Sequence, residues 1–448
     1  MNKFTFLKNI IIFFLSFLLF LSFRKSLIYE SNIFISCLFV FFIIIIFLTF
    51  FVKKTKLKII SVNIFIIIIL NLLTTPLFFQ HTFDVPFRLQ NYTEVIDYKS
   101  EFFDGMWEGK HTITTDHKGY RTNKKIEYLN KSANSIRLFT LGASTTEENG
   151  TDDNKTWSSL LTKDLSNYTS KKIELINMGL AGLRIHHHYV SLKNIKKYKP
   201  DIIIFLIGVN DWNHHTVNNK DHIFPYFEIK YDFSNSALFK VAKNIKKQID
   251  RKLIKNNKKN VEEVKSTLAS NVLKNEIIDG ENHYFSENTD QRFVDWLKPM
   301  SNSLEKNIKK KFKPKKVSEE YNYWINLIIK ECKSNEYKCF FVNQPTGYNI
   351  NVTEKLKKRF WMTPPNQDFT LDLDSMIHIS SVYNNYLEKI IKKNELNFCD
   401  LSSNIEPNTK YLIDDCHFTE KGSSIVSNII SNCLKKKLLS EIFFNDTL

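Results

Sequence analysis

The sequence predicts an α/β protein, a parallel sheet covered by helices, preceded by membrane-spanning helices. Three observations carry this. The run at 202–207 is apolar without alternation, as expected of a parallel strand buried on both faces. Strand-like and helix-like segments alternate from residue 136 onward, the rhythm of right-handed crossovers in a parallel sheet. The first 80 residues hold three apolar runs near the length of about 20 residues that a bilayer core requires.

Those runs occupy residues 9–23, 33–52 and 59–79. The first reaches spanning length only if Phe4 to Leu7 join it with Lys8 snorkelling, and no small-residue cleavage site follows it. Lys53, Lys54, Lys56 and Lys58 place the connection after the second run in the cytoplasm; Lys3 and Lys8 agree, while Arg24 and Lys25 oppose. The third helix then exits, so the chain after Gln80 is expected in a periplasmic or extracellular space. Residues 1–80 are read as a multi-pass membrane anchor.

Residues 81–135 read as an irregular approach segment. A strand is expected at 136–141, a helix at 157–165, a strand at 173–176, a helix at 190–198 and a strand at 202–207. The lysine-rich stretch 212–316 is too long for a simple connection and has helical periodicity at 238–255 and 261–275. It is read as a helical insertion. The rhythm resumes with a helix at 318–332, a strand at 339–343, a helix at 379–392, a strand at 397–401 and a helix at 419–434.

The formal net charge over 448 residues is +16, but the lysines are scattered, with no arginine-rich groove segment, which argues against nucleic acid as a partner. Of the six cysteines, Cys37 lies in a predicted membrane helix. The remaining five cannot all pair. Cys332 and Cys339 flank a helix-to-strand connection and are the expected disulfide; the other pairings stay open. No C-x-x-C zinc pattern occurs.

In open parallel sheets, functional residues gather beyond the C-terminal ends of strands. There the sequence places "GAST", "NMGLAG" and "GVNDW", and "DDCHFTEKG" precedes the last helix. Each alone has an ordinary reading: a helix N-cap for Ser144, a turn for the glycines, turn formers in Asn210 and Asp211, a surface histidine in His417. Their joint occurrence in this order favours a site.

These four blocks resemble those of the SGNH (GDSL) hydrolase superfamily, which supply Ser, Gly, Asn and His. They stand here as Gly142-Ala143-Ser144, Asn177-Met178-Gly179-Leu180-Ala181-Gly182, Gly208-Val209-Asn210-Asp211 and Asp414-Asp415-Cys416-His417. The upstream "HKGYRT" and the "KPD" before the third strand are also similar to bacterial members. The likeness covers roughly residues 114–435, with the insertion outside the common core. One departure is Ala143, where the common block has aspartate; a small residue there is within the family's range. The resemblance implies a three-layer α/β/α sandwich with a flavodoxin-like parallel sheet over 136–440.

The chemistry that follows is nucleophilic. A serine hydroxyl needs a base within reach and a third group to orient that base. His417 would take the proton of Ser144, and Asp414, three residues before it, would fix the imidazole tautomer. The resemblance gives the oxyanion donors as the Ser144 and Gly182 backbone N–H groups and the Asn210 amide. Gln344, after the fourth strand, is expected to contact substrate. His186, His187, His188, His214 and His215 are expected in loops rimming the pocket; no metal or cofactor is expected, and Asp211 and Asp415 read as structural. The expected activity is hydrolysis of short acyl esters on an extracytoplasmic glycan or related substrate. O-acyl transfer to a glycan, a lipase or thioesterase, and a non-catalytic glycan-binding role stay open as alternatives.

Overall fold

The computed structural model describes residues 88–98, 107–122, 126–217, 274–278, 281–289, 300–335 and 337–438. The chain divides into two compact units, Met1–Phe83 with Phe224–Glu263 and Asp84–Ile223 with Val264–Leu448. All described residues belong to the second. The three apolar runs and the helical stretch at 238–255 lie outside them, and among the described residues no helix is long and apolar enough to cross a membrane.

The central sheet has five strands: β3 (Ser135–Gly142), β4 (Lys172–Asn177), β5 (Ile202–Leu206), β9 (Lys338–Val342) and β11 (Asn397–Cys399). Their spatial order is β11-β9-β5-β3-β4, and every neighbouring pair is parallel. Counted in chain order of these strands this is the 2-1-3-4-5 arrangement, whose switch point lies between β3 and β5.

Strand residues of one parity, including Leu138, Ile204 and Phe340, share a core with Trp157 and Leu161 of α2 (Trp157–Leu165) and Val426 and Ile430 of α8 (Glu420–Leu438). The other parity, Phe139, Ile203, Phe205 and Phe341, is as deeply buried on the opposite face. Two disulfides follow the same division. Cys399 of β11 joins Cys433 of α8, and Cys339 of β9 joins Cys332 of α5 (Glu319–Lys333). The expected Cys332–Cys339 bond is present, and Cys416 is the one free, buried thiol among the described residues.

Helices begin where side chains cap them. Thr156 accepts the Ser159 N–H at the start of α2, and Ser318 accepts the Tyr321 N–H at the start of α5. Asp372 does the same for Ser375, so α7 (Leu373–Lys393) starts well before residue 379, where apolar periodicity alone put it. Likewise α3 (Ile185–Ile195) begins five residues before the expected 190, because the His187 imidazole accepts the Arg184 backbone N–H at 3.0 Å while the His187 N–H bonds the Arg184 carbonyl at 2.9 Å, closing the first turn.

Two further expectations are corrected. The approach segment is not irregular: β1 (Tyr92–Tyr98) and β2 (Gly109–Thr114) pair antiparallel. Within the insertion, β6 (Lys274–Ile278) and β7 (Glu281–Thr289) are strands where only helix was expected, and residues 261–273 of the second expected helix lie outside the described residues. β1 and β7 pair in parallel, giving a second sheet in the order β2-β1-β7-β6. β1 packs Ile96 and Tyr98 into a small cluster with Trp107 and Ile413, apart from the main core, and β7 is polar at most positions, so neither reads as a core strand. A short parallel pair, β8 (Ile308–Lys310) with β10 (Phe369–Leu371), also went unread.

Candidate active site

β3 ends at Gly142, and the chain turns through Ala143 into α1 (Ser144–Glu147). The Thr146 and Glu147 amides close on the Ala143 carbonyl at 3.0 and 2.9 Å, and Glu148 stops the helix in a left-handed conformation (φ 51°). The N-cap is therefore Ala143. Ser144 is the first helical residue, and its hydroxyl donates to His417 Nε2 at 2.8 Å rather than capping a helix amide. Ala143 is buried against Leu183, flanked by Leu180 and Val190. An acid there would be desolvated among apolar side chains, which accounts for alanine in place of aspartate.

His417 Nδ1 lies 2.8 Å from each Asp414 carboxylate oxygen. Asp414 Oδ1 also accepts the backbone N–H groups of Cys416 and His417, both at 3.0 Å, so the acid and the imidazole it orients are held by one tight turn. Trp361 Nε1 donates to Asp414 Oδ2 at 2.8 Å. Burial raises the Asp414 carboxyl, but the adjacent imidazole and these donors outweigh it and hold the group below its ordinary value. Burial disfavours the His417 imidazolium, and the Asp414 charge overrides it, raising His417 above its ordinary value. Serine hydroxyl, base and orienting acid thus form one unbroken hydrogen-bonded series, the arrangement that activates a nucleophile.

The second and third blocks adjoin this series. Asn177 Oδ1 accepts the Gly179 N–H at 2.8 Å, and its amide donates to the Thr146 carbonyl at 2.7 Å, lashing the loop after β4 to α1. Gly182 is exposed with a φ of 79°, a backbone state that favours glycine. Asn210 opens α4 (Val209–Val217) and donates one amide hydrogen to the Leu183 carbonyl at 2.9 Å, beside Gly182. The other hydrogen of that NH₂ is the one available to a ligand. Asp211 is buried and accepts the Ile185 N–H at 3.0 Å, a structural link from α4 to α3.

Two expectations fail here. Gln344 does not face a substrate: it is fully buried, accepts the Thr145 hydroxyl at 3.1 Å and donates to the Pro345 carbonyl at 3.1 Å. It braces α1 from behind. The histidines do not line rim loops, since His186 and His188 are buried in α3 and His215 is buried in α4, 3.1 Å from the Tyr383 hydroxyl. The Arg184 N–H donates to His187 Nδ1 at 3.0 Å, which puts the His187 proton on Nε2, 3.1 Å from His186 Nε2. The His186 proton then sits on Nδ1, facing Glu320 at 3.6 Å. Burial keeps these imidazoles neutral, pushing His186 down to about 2 and His187 to about 4.

Three supports went unnoticed in the sequence. Arg121, inside the "HKGYRT" motif, is buried and donates to the carbonyls of Glu147, Glu148 and Thr151 and to Asp153. Glu147 accepts from Arg88 and from the Ala181 N–H at 2.8 Å. Trp361 is the third. Arg121 alone had a signal, the motif itself; Arg88 and Ala181 meet Glu147 across 59 and 34 residues and Trp361 meets Asp414 across 53, separations no local pattern encodes.

A parallel sheet of 2-1-3-4-5 order with a Ser-His-Asp series at its switch point defines an acylhydrolase-type site. The chain belongs to the GDSL-like lipase/acylhydrolase family, whose model matches residues 138–430. Solved structures similar to it include a catalytic mutant of the acetylxylan esterase Axe2 from Geobacillus stearothermophilus, at 11% identity and TM-score 0.35, covering 68% of this chain and 96% of that one. The psychrotrophic esterase EstA from a Pseudoalteromonas species is similar at 9% identity and TM-score 0.32, over 67% and 97%. A GDSL-like lipase from Bacteroides thetaiotaomicron is similar at 12% identity and TM-score 0.31, over 67% and 89%. No curated protein matches the chain. Family membership rests on the match over 138–430, and makes the chain a GDSL-type acylhydrolase.

Proposed function

We propose that the chain is a membrane-anchored serine esterase that removes short acyl groups, acetyl among them, from an extracytoplasmic glycan or related ester. The observation that carries the mechanism is the series Ser144 Oγ to His417 Nε2 at 2.8 Å and His417 Nδ1 to Asp414 at 2.8 Å. His417 accepts the Ser144 proton as Oγ attacks the ester carbonyl. Asp414 stabilises the imidazolium that forms. The Ser144 and Gly182 amides and the Asn210 side chain take the negative charge of the tetrahedral intermediate, each donor being worth about 100- to 1,000-fold in rate. His417 then protonates the leaving alkoxide, and water, deprotonated in turn by His417, releases the acyl group from Ser144.

The exterior placement is supported by the two disulfides, which persist in oxidising compartments, and by the lysines at 53, 54, 56 and 58. The glycan follows from that placement, where cell-surface polymers are the accessible esters. A fluorophosphonate probe on the full-length chain is expected to label Ser144 and to leave Ser144→Ala unlabelled. No label, or a label elsewhere, refutes the mechanism. A reporter fused after Gln80 is expected to be active only outside the cytoplasm; cytoplasmic activity refutes the topology.

A further inference from the structure

We infer that Trp361 is a positioning residue of this hydrolase, its indole N–H fixing the carboxylate that orients His417. The inference rests on the Ser144-His417-Asp414 reading. Asp414 is all but fully buried, so its charge must be met by protein donors. The two carboxylate oxygens are met differently. Oδ1 is held by the backbone amides of its own turn, Cys416 and His417. Oδ2 takes the Trp361 indole N–H at 2.8 Å, a donor that lies 53 residues upstream. Without that donor only the turn restrains rotation of the carboxylate about its Cβ–Cγ bond, and both oxygens must stay aligned for Nδ1 to meet them.

The indole also limits the base itself. Its plane lies 2° from that of the His417 imidazole, with ring centroids 6.3 Å apart, so it runs alongside the ring and opposes tilting. Trp361 is fixed in turn by the second acid of the Asp-Asp pair. Asp415, fully buried, accepts the Trp361 backbone N–H at 2.7 Å, the Met362 N–H at 3.3 Å and the Tyr348 hydroxyl at 2.7 Å. The two adjacent acids therefore divide the work. Asp414 orients the base, and Asp415 locks the segment that supplies the donor for Asp414.

The test is steady-state hydrolysis of p-nitrophenyl acetate by the full-length chain and its Trp361→Phe and Trp361→Tyr variants. A hydrogen bond to a charged group corresponds to roughly 10- to 150-fold in rate. Trp361→Phe is expected to lower kcat by at least about tenfold with KM within about twofold. Trp361→Tyr differs from the phenylalanine variant only by a hydroxyl donor and is expected to recover at least about threefold in kcat. A phenylalanine variant with wild-type kcat, a loss confined to KM, or equal kcat for both variants overturns the inference. Failure of the underlying reading looks different: the wild-type chain would not be labelled at Ser144.

Discussion

Gly179→Ala is the perturbation whose effect follows most directly from the geometry. A Cβ at Gly179 would lie 2.3 Å from the Glu147 backbone nitrogen, 2.6 Å from the Thr146 carbonyl carbon and 2.9 Å from the Glu147 Cα. All three belong to α1, so no flexible side chain can yield. Restoring an ordinary contact of 3.4 Å requires a displacement of about 1 Å. Ser144 opens the same four-residue helix and moves with it, while its 2.8 Å partner His417 is fixed by another turn. A misplacement of about 1 Å costs on the order of 100-fold in rate, and the overpacking itself about 1–3 kcal/mol of stability. The assay is kcat/KM on p-nitrophenyl acetate beside a thermal melt. Gly109→Ala is the control: its Cβ meets nothing within 4 Å, and its cost is the φ of 76°, roughly 1–2 kcal/mol, with no push on Ser144. A Gly179→Ala chain with kcat/KM within about threefold of wild type would refute the argument that loop and helix are one packed unit.

Three other outcomes are expected. The Asp414 charge raises the pKa of His417, and the neutral imidazole is the base, so esterase activity is lost as pH falls through that raised pKa. Asp414→Asn removes the charge: the acid limb of kcat/KM moves to lower pH, and kcat falls roughly 10,000-fold, read from a pH–rate profile. Arg121→Met strands the carbonyls of Glu147, Glu148 and Thr151 and the Asp153 carboxylate, and is expected to cost about 3–5 kcal/mol in denaturant unfolding. Burial raises Glu148 from 4.5 to about 7, against the opposing pull of Ser423, Trp157 and Arg121. Its contribution is fully present below pH 4.5 and declines as pH climbs to about 7, by at most about 3 kcal/mol. Glu148→Gln is expected to flatten that slope in urea titrations across the window.

The central sheet was legible because its strands are buried on both faces, which leaves uninterrupted apolar runs such as 202–207. The helix at 157–165 was legible to the residue, its apolar stripe coinciding with its capped start. The helix starting at Leu373 was not, because its first turn is set by the Asp372 cap rather than by apolar spacing. The second sheet was hidden because its strands are half-buried or exposed and pair across nearly the whole domain. At the site, Ser144, Asp414 and His417 could be named because each stands where a strand or turn delivers it to one edge. Gln344 stands at that same edge, yet its side chain turns inward to Thr145. Position along a strand does not fix side-chain direction once the chain leaves the pleat.

The pairing of β1 with β7 bears on where this protein can be cut. A trimmed version starting at the first central strand would seem to keep the whole hydrolase. It would instead leave β7 with one flank of unsatisfied N–H and C=O groups, a template for self-association. It would also discard Arg88 and Arg121, both of which grip the helix that bears Ser144. The smallest autonomous piece must therefore reach back to Arg88 and retain the 281–289 strand, however peripheral both look beside the chemistry.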